Sequence, residues 1–218
     1  MNLSEFKEIV KSYKNYENSI SMEKYMKNNF LFLGIKAPIR REIEKEYFSI
    51  LRTNKSIDFN IVNDLWNEEF REFQYIATDY LNIMKKHLVF EDLYKLKLII
   101  VQKSWWDSVD NFPRLVGEIS KNDKRVDEEM ISWSKEENIW IRRVAILYQL
   151  GKKENTKTNV LQEIIFNNLG SNEFFINKAI GWALREYSKT NPEYVREILR
   201  INGEKLAPLT IREASKYI

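Results

Sequence analysis

The 218-residue sequence contains no cysteine, which excludes disulfides, thiolate nucleophiles and cysteine-ligated zinc. It has one histidine, His87, in the run Lys85-Lys86-His87 after an apolar stretch. That position reads as a solvated helix end, and a single imidazole cannot build a histidine metal cluster. Glycine and proline are scarce, six and four residues, as expected of helices joined by short links. No apolar run approaches the length of a membrane span, and the start Met1-Asn2-Leu3-Ser4-Glu5 lacks the apolar core of a signal peptide. The expectation is a cytoplasmic protein. A large charge excess is missing too: 35 basic and 32 acidic residues leave a net charge of +3. Any basic surface must therefore come from local segregation of charge, so an anionic partner is allowed but not demanded.

What is present is enough to build a core: 44% of the residues are hydrophobic and 13% aromatic. Apolar residues recur at three- and four-residue spacing almost throughout, and period-two alternation between turn signals is absent. This predicts an all-α protein with helices near 3–13, 19–30, 38–50, 58–66, 69–86, 90–102, 108–120, 124–134, 138–151, 157–169, 173–188, 192–201 and 208–217. Pro38, Pro192 and Pro208 sit where helices can begin, because a first-turn residue needs no N–H donor. Pro113 either starts a helix of its own or lies inside the first turns of one capped near Asp107 or Ser108. An Ala-x-x-aromatic step recurs at Ala77/Tyr80, Ala145/Tyr148 and Ala179/Trp182, with offsets of 68 and 34 residues. That period favours stacked helical pairs in one solenoid domain spanning 1–218.

Four stretches carry candidate chemistry. In Ser104-Trp105-Trp106-Asp107-Ser108-Val109-Asp110, a helical turn would put Trp106 and Asp110 on one face. A ring face and a carboxylate could then converge on one cation; the structural alternative is core packing plus a helix cap. From Glu23 to Arg41, basic residues including Lys36 and Arg41 surround an aromatic run and a proline-started helix, a plausible phosphate seat or else a staple with a solvated arginine pair. In Ile139-Trp140-Ile141-Arg142-Arg143, consecutive arginines diverge by about 100° around a helix, so one faces solvent and the other a groove. In the segment from Phe174 to Pro192, Trp182 and Arg185 are neighbours on a helix surface. Gly181 there costs the helix roughly 1 kcal/mol relative to Ala and marks the close approach of a helix or a ligand.

Taken together these residues resemble the AlkD-type DNA alkylation repair proteins, a family of HEAT-like-repeat DNA glycosylases. The likeness runs through Tyr25-Met26-Lys27-Asn28, Leu33-Gly34-Ile35-Lys36 with Pro38 and Arg40-Arg41, and Leu65-Trp66 with Arg71-Glu72-Phe73-Gln74-Tyr75. It continues through the tryptophan-aspartate motif, Arg142-Arg143, the run from Lys178 to Tyr187, and Arg212-Glu213-Ala214-Ser215-Lys216. The tryptophan-aspartate and Gly-Trp-Ala-Leu-Arg motifs are the specific ones. The resemblance implies a curved helical stack whose concave face holds duplex DNA, and removal of bases alkylated at purine N3 or N7 without a deep base-flipping pocket. It implies that Asp110 is the catalytic carboxylate, that Trp106 and Trp182 wall the sugar, and that Arg143 is the supporting arginine, fixing the phosphate. Arg185 and the basic residues around it, Lys178 and Lys189, are matched to backbone contacts, together with Lys36, Arg41 and Arg142, and Tyr25 to an aromatic near the lesion. One departure is Ala37, where the family commonly has Thr or Ser before the helix-starting proline; Ala can neither cap the helix nor offer a hydroxyl.

The chemistry fits what the sequence lacks. A base alkylated at N3 or N7 is cationic, so its glycosidic bond breaks through an oxocarbenium-like sugar that a carboxylate stabilises, with no need for metal, thiol, histidine or any cofactor. The expected partner is double-stranded DNA bearing alkylated bases, met by a monomer. The competing expectation is a non-catalytic α-solenoid that binds DNA or a protein.

Overall fold

The computed structural model describes all residues from Met1 to Ile218. Every regular element is a helix; the one β-type contact is an isolated parallel bridge between Leu31 and Phe70. No helix is long and apolar enough to cross a membrane. Contacts divide the chain into two compact units, Met1–Leu88 and Val89–Ile218.

The N-terminal unit contains α1 (Leu3–Ser12), α2 (Tyr16–Tyr25), α3 (Ala37–Leu51), α4 (Phe59–Asn67) and α5 (Arg71–Met84). α1 opens with a capping box, Asn2 accepting from the Glu5 amide while Glu5 accepts from the Asn2 amide. Its buried Phe6 stacks on Tyr47 of α3 at 4.4 Å between ring centroids. The second helix spans Tyr16–Tyr25, not 19–30, because Asn15 caps it early by accepting from the Asn18 amide. Beyond it, Lys27 and Asn28 take positive φ and end the helix. The segment up to α3 is then pinned by one buried carboxylate: Glu72 accepts from the amides of Leu33 (2.9 Å), Gly34 (2.8 Å) and Ile35 (3.0 Å). Gly34 is obligatory there, with φ +87° and a would-be Cβ only 2.0 Å from the Asn15 carbonyl oxygen.

The second unit contains α6 (Asp92–Ile100), α7 (Trp106–Val109), α8 (Phe112–Ile119), α9 (Arg125–Trp133), α10 (Ile139–Leu147), α11 (Thr158–Phe166), α12 (Phe174–Ser188), α13 (Pro192–Asn202) and α14 (Pro208–Ala214). Helices two apart in sequence pack on one another: α8 on α10, α10 on α12, α12 on α14, and, in a second row, α9 on α11. Each pair thus covers the apolar face of the next, as helical repeats require. The 34-residue step between Ala145 and Ala179 is one advance along the first row, from α10 to α12. Both alanines are fully buried, where a small side chain lets backbones approach.

The helix expected over 108–120 is two helices. α7 is a single turn, and Pro113 lies in the first turn of a separate α8 beginning at Phe112. Asn111 sits between them, its amide donating to the carbonyls of Asp107 and Ser108 and so closing the C-terminus of α7.

Candidate active site

Asp110 follows the last residue of α7, and its amide donates to the Trp106 carbonyl at 3.1 Å. That i to i+4 bond gives Trp106 and Asp110 the common face the spacing called for. Both residues are half-buried. Arg143, on α10, reaches Asp110 in a two-pronged pair: Nε donates to Oδ1 and a terminal nitrogen to Oδ2, each at 2.7 Å. The remaining terminal nitrogen donates to the Phe175 carbonyl at the start of α12, also at 2.7 Å. Fork-to-carboxylate geometry is the strongest way to orient a carboxyl group, since it fixes the plane as well as the distance.

The two partners differ in exposure. Arg143 shows 4% of its side-chain surface and Asp110 20%, so the carboxylate is the member that faces outward. Each of the three Arg143 guanidinium nitrogens donates within the protein, two of them to Asp110, so the arginine is placed to hold that carboxylate. Arg142 lies 100° around the helix and is half-buried, with its Nε enclosed and unpartnered.

A cluster of rings supports the pair. Trp105, Trp140 and Phe175 meet with centroids 5.8, 5.2 and 4.8 Å apart, and the Arg143 guanidinium lies 5.9 Å from the Phe175 ring. These residues come from the starts of α7, α10 and α12, so the cluster locks together the three elements that carry Asp110, Arg143 and Trp182. The sequence by itself gives Trp140 and Phe175 no such part. The paired rings Phe174-Phe175 at a helix start were the available signal.

On α12, Phe175, Lys178, Trp182 and Arg185 follow at three- and four-residue steps, which form one stripe on a helix. All four are half-buried, and Lys189, one turn on, is exposed. The opposite face, including Ile176, Ile180 and Leu184, is core. Gly181 admits α14, not a ligand: a Cβ there would come within 2.6 Å of Glu213 Cβ and 3.1 Å of the Thr210 carbonyl oxygen. Glu213 then gathers three cations, Lys178 at 2.9 Å, Arg185 at 2.7 Å and Lys216 at 2.9 Å. Hydrogen bonds from Lys178 and then Lys216 hold its carboxyl down to about 2. Three cations on one carboxylate leave two net positive charges on this edge. Glu213 stood in a recognised motif, yet nothing in the one-dimensional order ties it to a lysine 35 positions earlier. Lys189 pairs with Glu186 at 2.6 Å.

In the N-terminal unit, Tyr25 ends α2 with 69% of its surface exposed. Lys36 is the exposed residue preceding α3, and it makes no side-chain cap bond. Arg41 is exposed, whereas Arg40 is buried between Glu44 (3.0 Å) and Asp79 (2.7 Å). Burial and the nearby Asp79 push Glu44 up to about 8 despite Arg40, because one guanidinium must serve two carboxylates. No group of three or more His, Asp or Glu side chains is arranged to hold a metal ion.

The chain is similar in fold to the solved structure of a predicted DNA alkylation repair enzyme from Enterococcus faecalis. The two are 35% identical, with a TM-score of 0.87 over 94% of this chain and 96% of that one. No curated protein matches it. The model of the family described as DNA alkylation repair enzyme matches residues 7–218. A match over nearly the entire sequence, coinciding with the half-open Asp110 carboxylate and its tryptophan neighbour, places this chain in the DNA alkylation repair enzyme family.

Proposed function

We propose that this protein is a DNA glycosylase that hydrolyses the N-glycosidic bond of cationic N3- and N7-alkylated purines in duplex DNA. The observation that carries the reading is the outward-facing Asp110 carboxylate, held in a fixed plane by buried Arg143. Alkylation makes the base a cation, so the C1′–N bond breaks with its electron pair returning to the base. The base leaves neutral and the deoxyribose is left as an oxocarbenium ion. A carboxylate already oriented beside that sugar stabilises the charge without reorganising, and this favours the transition state over the ground state. Water adds to C1′, its proton passing to Asp110 or to solvent, and an abasic site remains.

Trp106 and Trp182 flank the sugar in this reading, each adding cation–π attraction on the order of 0.5–2 kcal/mol. Arg143 is a positioning residue. Lys178, Arg185 and Lys189 on the α12 stripe, with Arg142, meet backbone phosphates; Lys36, Arg41 and Tyr25 add contacts from the N-terminal unit. Residues 1–218 then act on duplex DNA as one HEAT-like domain, working as a cytoplasmic monomer without cofactor.

The test is release of free base from a duplex carrying a single N7-methylguanine, measured against the spontaneous rate. Release above background that Asp110→Asn greatly slows is expected. Tight DNA binding with no release would overturn the enzyme reading in favour of a non-catalytic DNA-binding scaffold.

A further inference from the structure

The N-terminal unit carries an open groove between α1 and α3 that contains none of the residues assigned above. α1 turns Phe6 and Val10 into the core, which leaves Ile9 and Tyr13, four residues apart, on its outer side. α3 likewise buries Tyr47, Phe48 and Leu51 and turns Ile39 outward, with Ile43 one turn on. Ile9, Tyr13 and Ile39 are each between 42% and 51% exposed. Two adjoining hollows that share Met1, Ile9 and Glu46 run along this seam. Single exposed apolar residues are ordinary; a contiguous row of them along two helices marks an interaction surface.

The charge around the row says what it fits. Apart from the Tyr13 phenol, every ionisable side chain bordering the two hollows is a carboxylate: Glu5, Glu8, Glu42 and Glu46. The Met1 amino group lies 3.9 Å from Glu5, and Glu8 and Glu42 are partly neutralised by Lys11 and Lys45 from outside the groove. Glu46 has no ion pair. In a chain with a net charge of +3, this is a local reversal of sign. Duplex DNA, which needs phosphate neutralisation to bind, is repelled here, and so is an acidic peptide. A row of alternating helical anchors with anionic walls is complementary to a helix whose apolar stripe is flanked by Lys or Arg.

We propose that the α1/α3 groove docks a basic amphipathic helix of a partner protein, its apolar stripe on Ile9, Tyr13 and Ile39 and its cationic flanks against Glu42 and Glu46. The groove is thus a protein-binding face on a DNA alkylation repair family member, and it stands whether or not the glycosylase reading does.

The probe is a fluorescent amphipathic Leu/Lys peptide of about 18 residues, long enough to hold helix on a surface, with a Leu/Glu peptide of the same pattern as control. Binding to the full chain is measured by anisotropy across a salt series, and the site is located by isoleucine methyl NMR. Saturable binding of the Lys peptide alone is expected, with shifts at Ile9, Ile39 and Ile43. Because exposed charge pairs are each worth about threefold, Glu42→Lys/Glu46→Lys should weaken binding about tenfold and flatten its salt dependence. Both substituted positions are exposed, and circular dichroism checks that the helices persist. Shifts confined to other isoleucines, indifference to the charge reversal, or displacement of the peptide by duplex DNA would each overturn the proposal. So would concentration-dependent dimerisation that Ile39→Glu abolishes, since the occupant would then be a second copy of this chain.

Discussion

Asp110→Asn removes one charge from a pair whose other member is buried, so it perturbs stability and chemistry at once. Arg143 exposes 4% of its side chain and donates two 2.7 Å hydrogen bonds to the carboxylate. Breaking a buried pair by removing one partner typically costs about 3–5 kcal/mol, since the remaining charge stays desolvated. Asp110 is 20% exposed and Asn retains one acceptor oxygen, so the expected cost falls at or below the lower end, about 2–3 kcal/mol. For a domain with a urea slope of about 2–3 kcal/mol per molar, that is a midpoint lowered by about 1 M, with the fold retained. The chemical effect is larger: loss of one preorganised charge stabiliser slows base release on the order of 100- to 1,000-fold. DNA affinity should be unchanged or improved, because a negative charge facing phosphate is gone. The assays are urea denaturation and single-turnover release of N7-methylguanine, run on Asp110→Asn, Arg143→Met and the double variant. The double variant should be more stable than the two single losses summed, by about 2 kcal/mol or more. Strict additivity, or a wild-type urea midpoint for Asp110→Asn, would refute the claim that Arg143 is spent on Asp110. Wild-type base release by Asp110→Asn would refute the carboxylate's part in catalysis.

Trp106→Ala and Trp182→Ala should each slow release by about 1–2 kcal/mol of barrier, with Phe at either site retaining more rate than Ala, and uracil should not be excised at all. Arg185→Ala should reduce the slope of log affinity against log salt by about one, while Arg143→Met leaves that slope unchanged; the reverse order would return Arg143 to a phosphate. Glu213 has its carboxyl held near 2, below the unfolded value, so its stabilisation is present above about pH 4.5 and lost as pH falls toward 2. The stability gap between wild type and Glu213→Gln, followed by urea titration at stepped pH, should close over that window. Glu44 has the opposite sign: raised to about 8, it keeps its proton when the unfolded chain has lost it, so stability falls as pH rises from about 4.5 to 8. Glu44→Gln, which can still accept from Arg40, should remove that fall, and an unchanged pH profile would contradict it.

The helices were legible because each rests on a local signal. Three- and four-residue apolar spacing, helix-starting prolines and few glycines dictate helix regardless of what packs where, and the Trp106 to Asp110 interval became a shared face through a single turn of backbone. The stripe of Lys178, Trp182 and Arg185 was likewise implicit in their spacing, as was the family in the tryptophan-aspartate and Gly-Trp-Ala-Leu-Arg motifs. Where one residue's side chain overrides propensity, the reading failed: Asn15 begins a helix by accepting, and Asn111 ends one by donating, hydrogen bonds that no periodicity reveals. Partners distant in sequence were decided only by packing. Arg143 is basic and stands in a family motif, and both suggested phosphate; that it meets the Asp110 carboxylate and the Phe175 carbonyl was decided by stacking α10 beside α7 and α12. Glu213 acquires Lys178 and Arg185, and Gly181 its necessity, only when α14 lies on α12. A sequence specifies which groups can carry charge, but how far each is desolvated and which opposite charge it meets depend on distances across the stack, and those exist only in the folded chain.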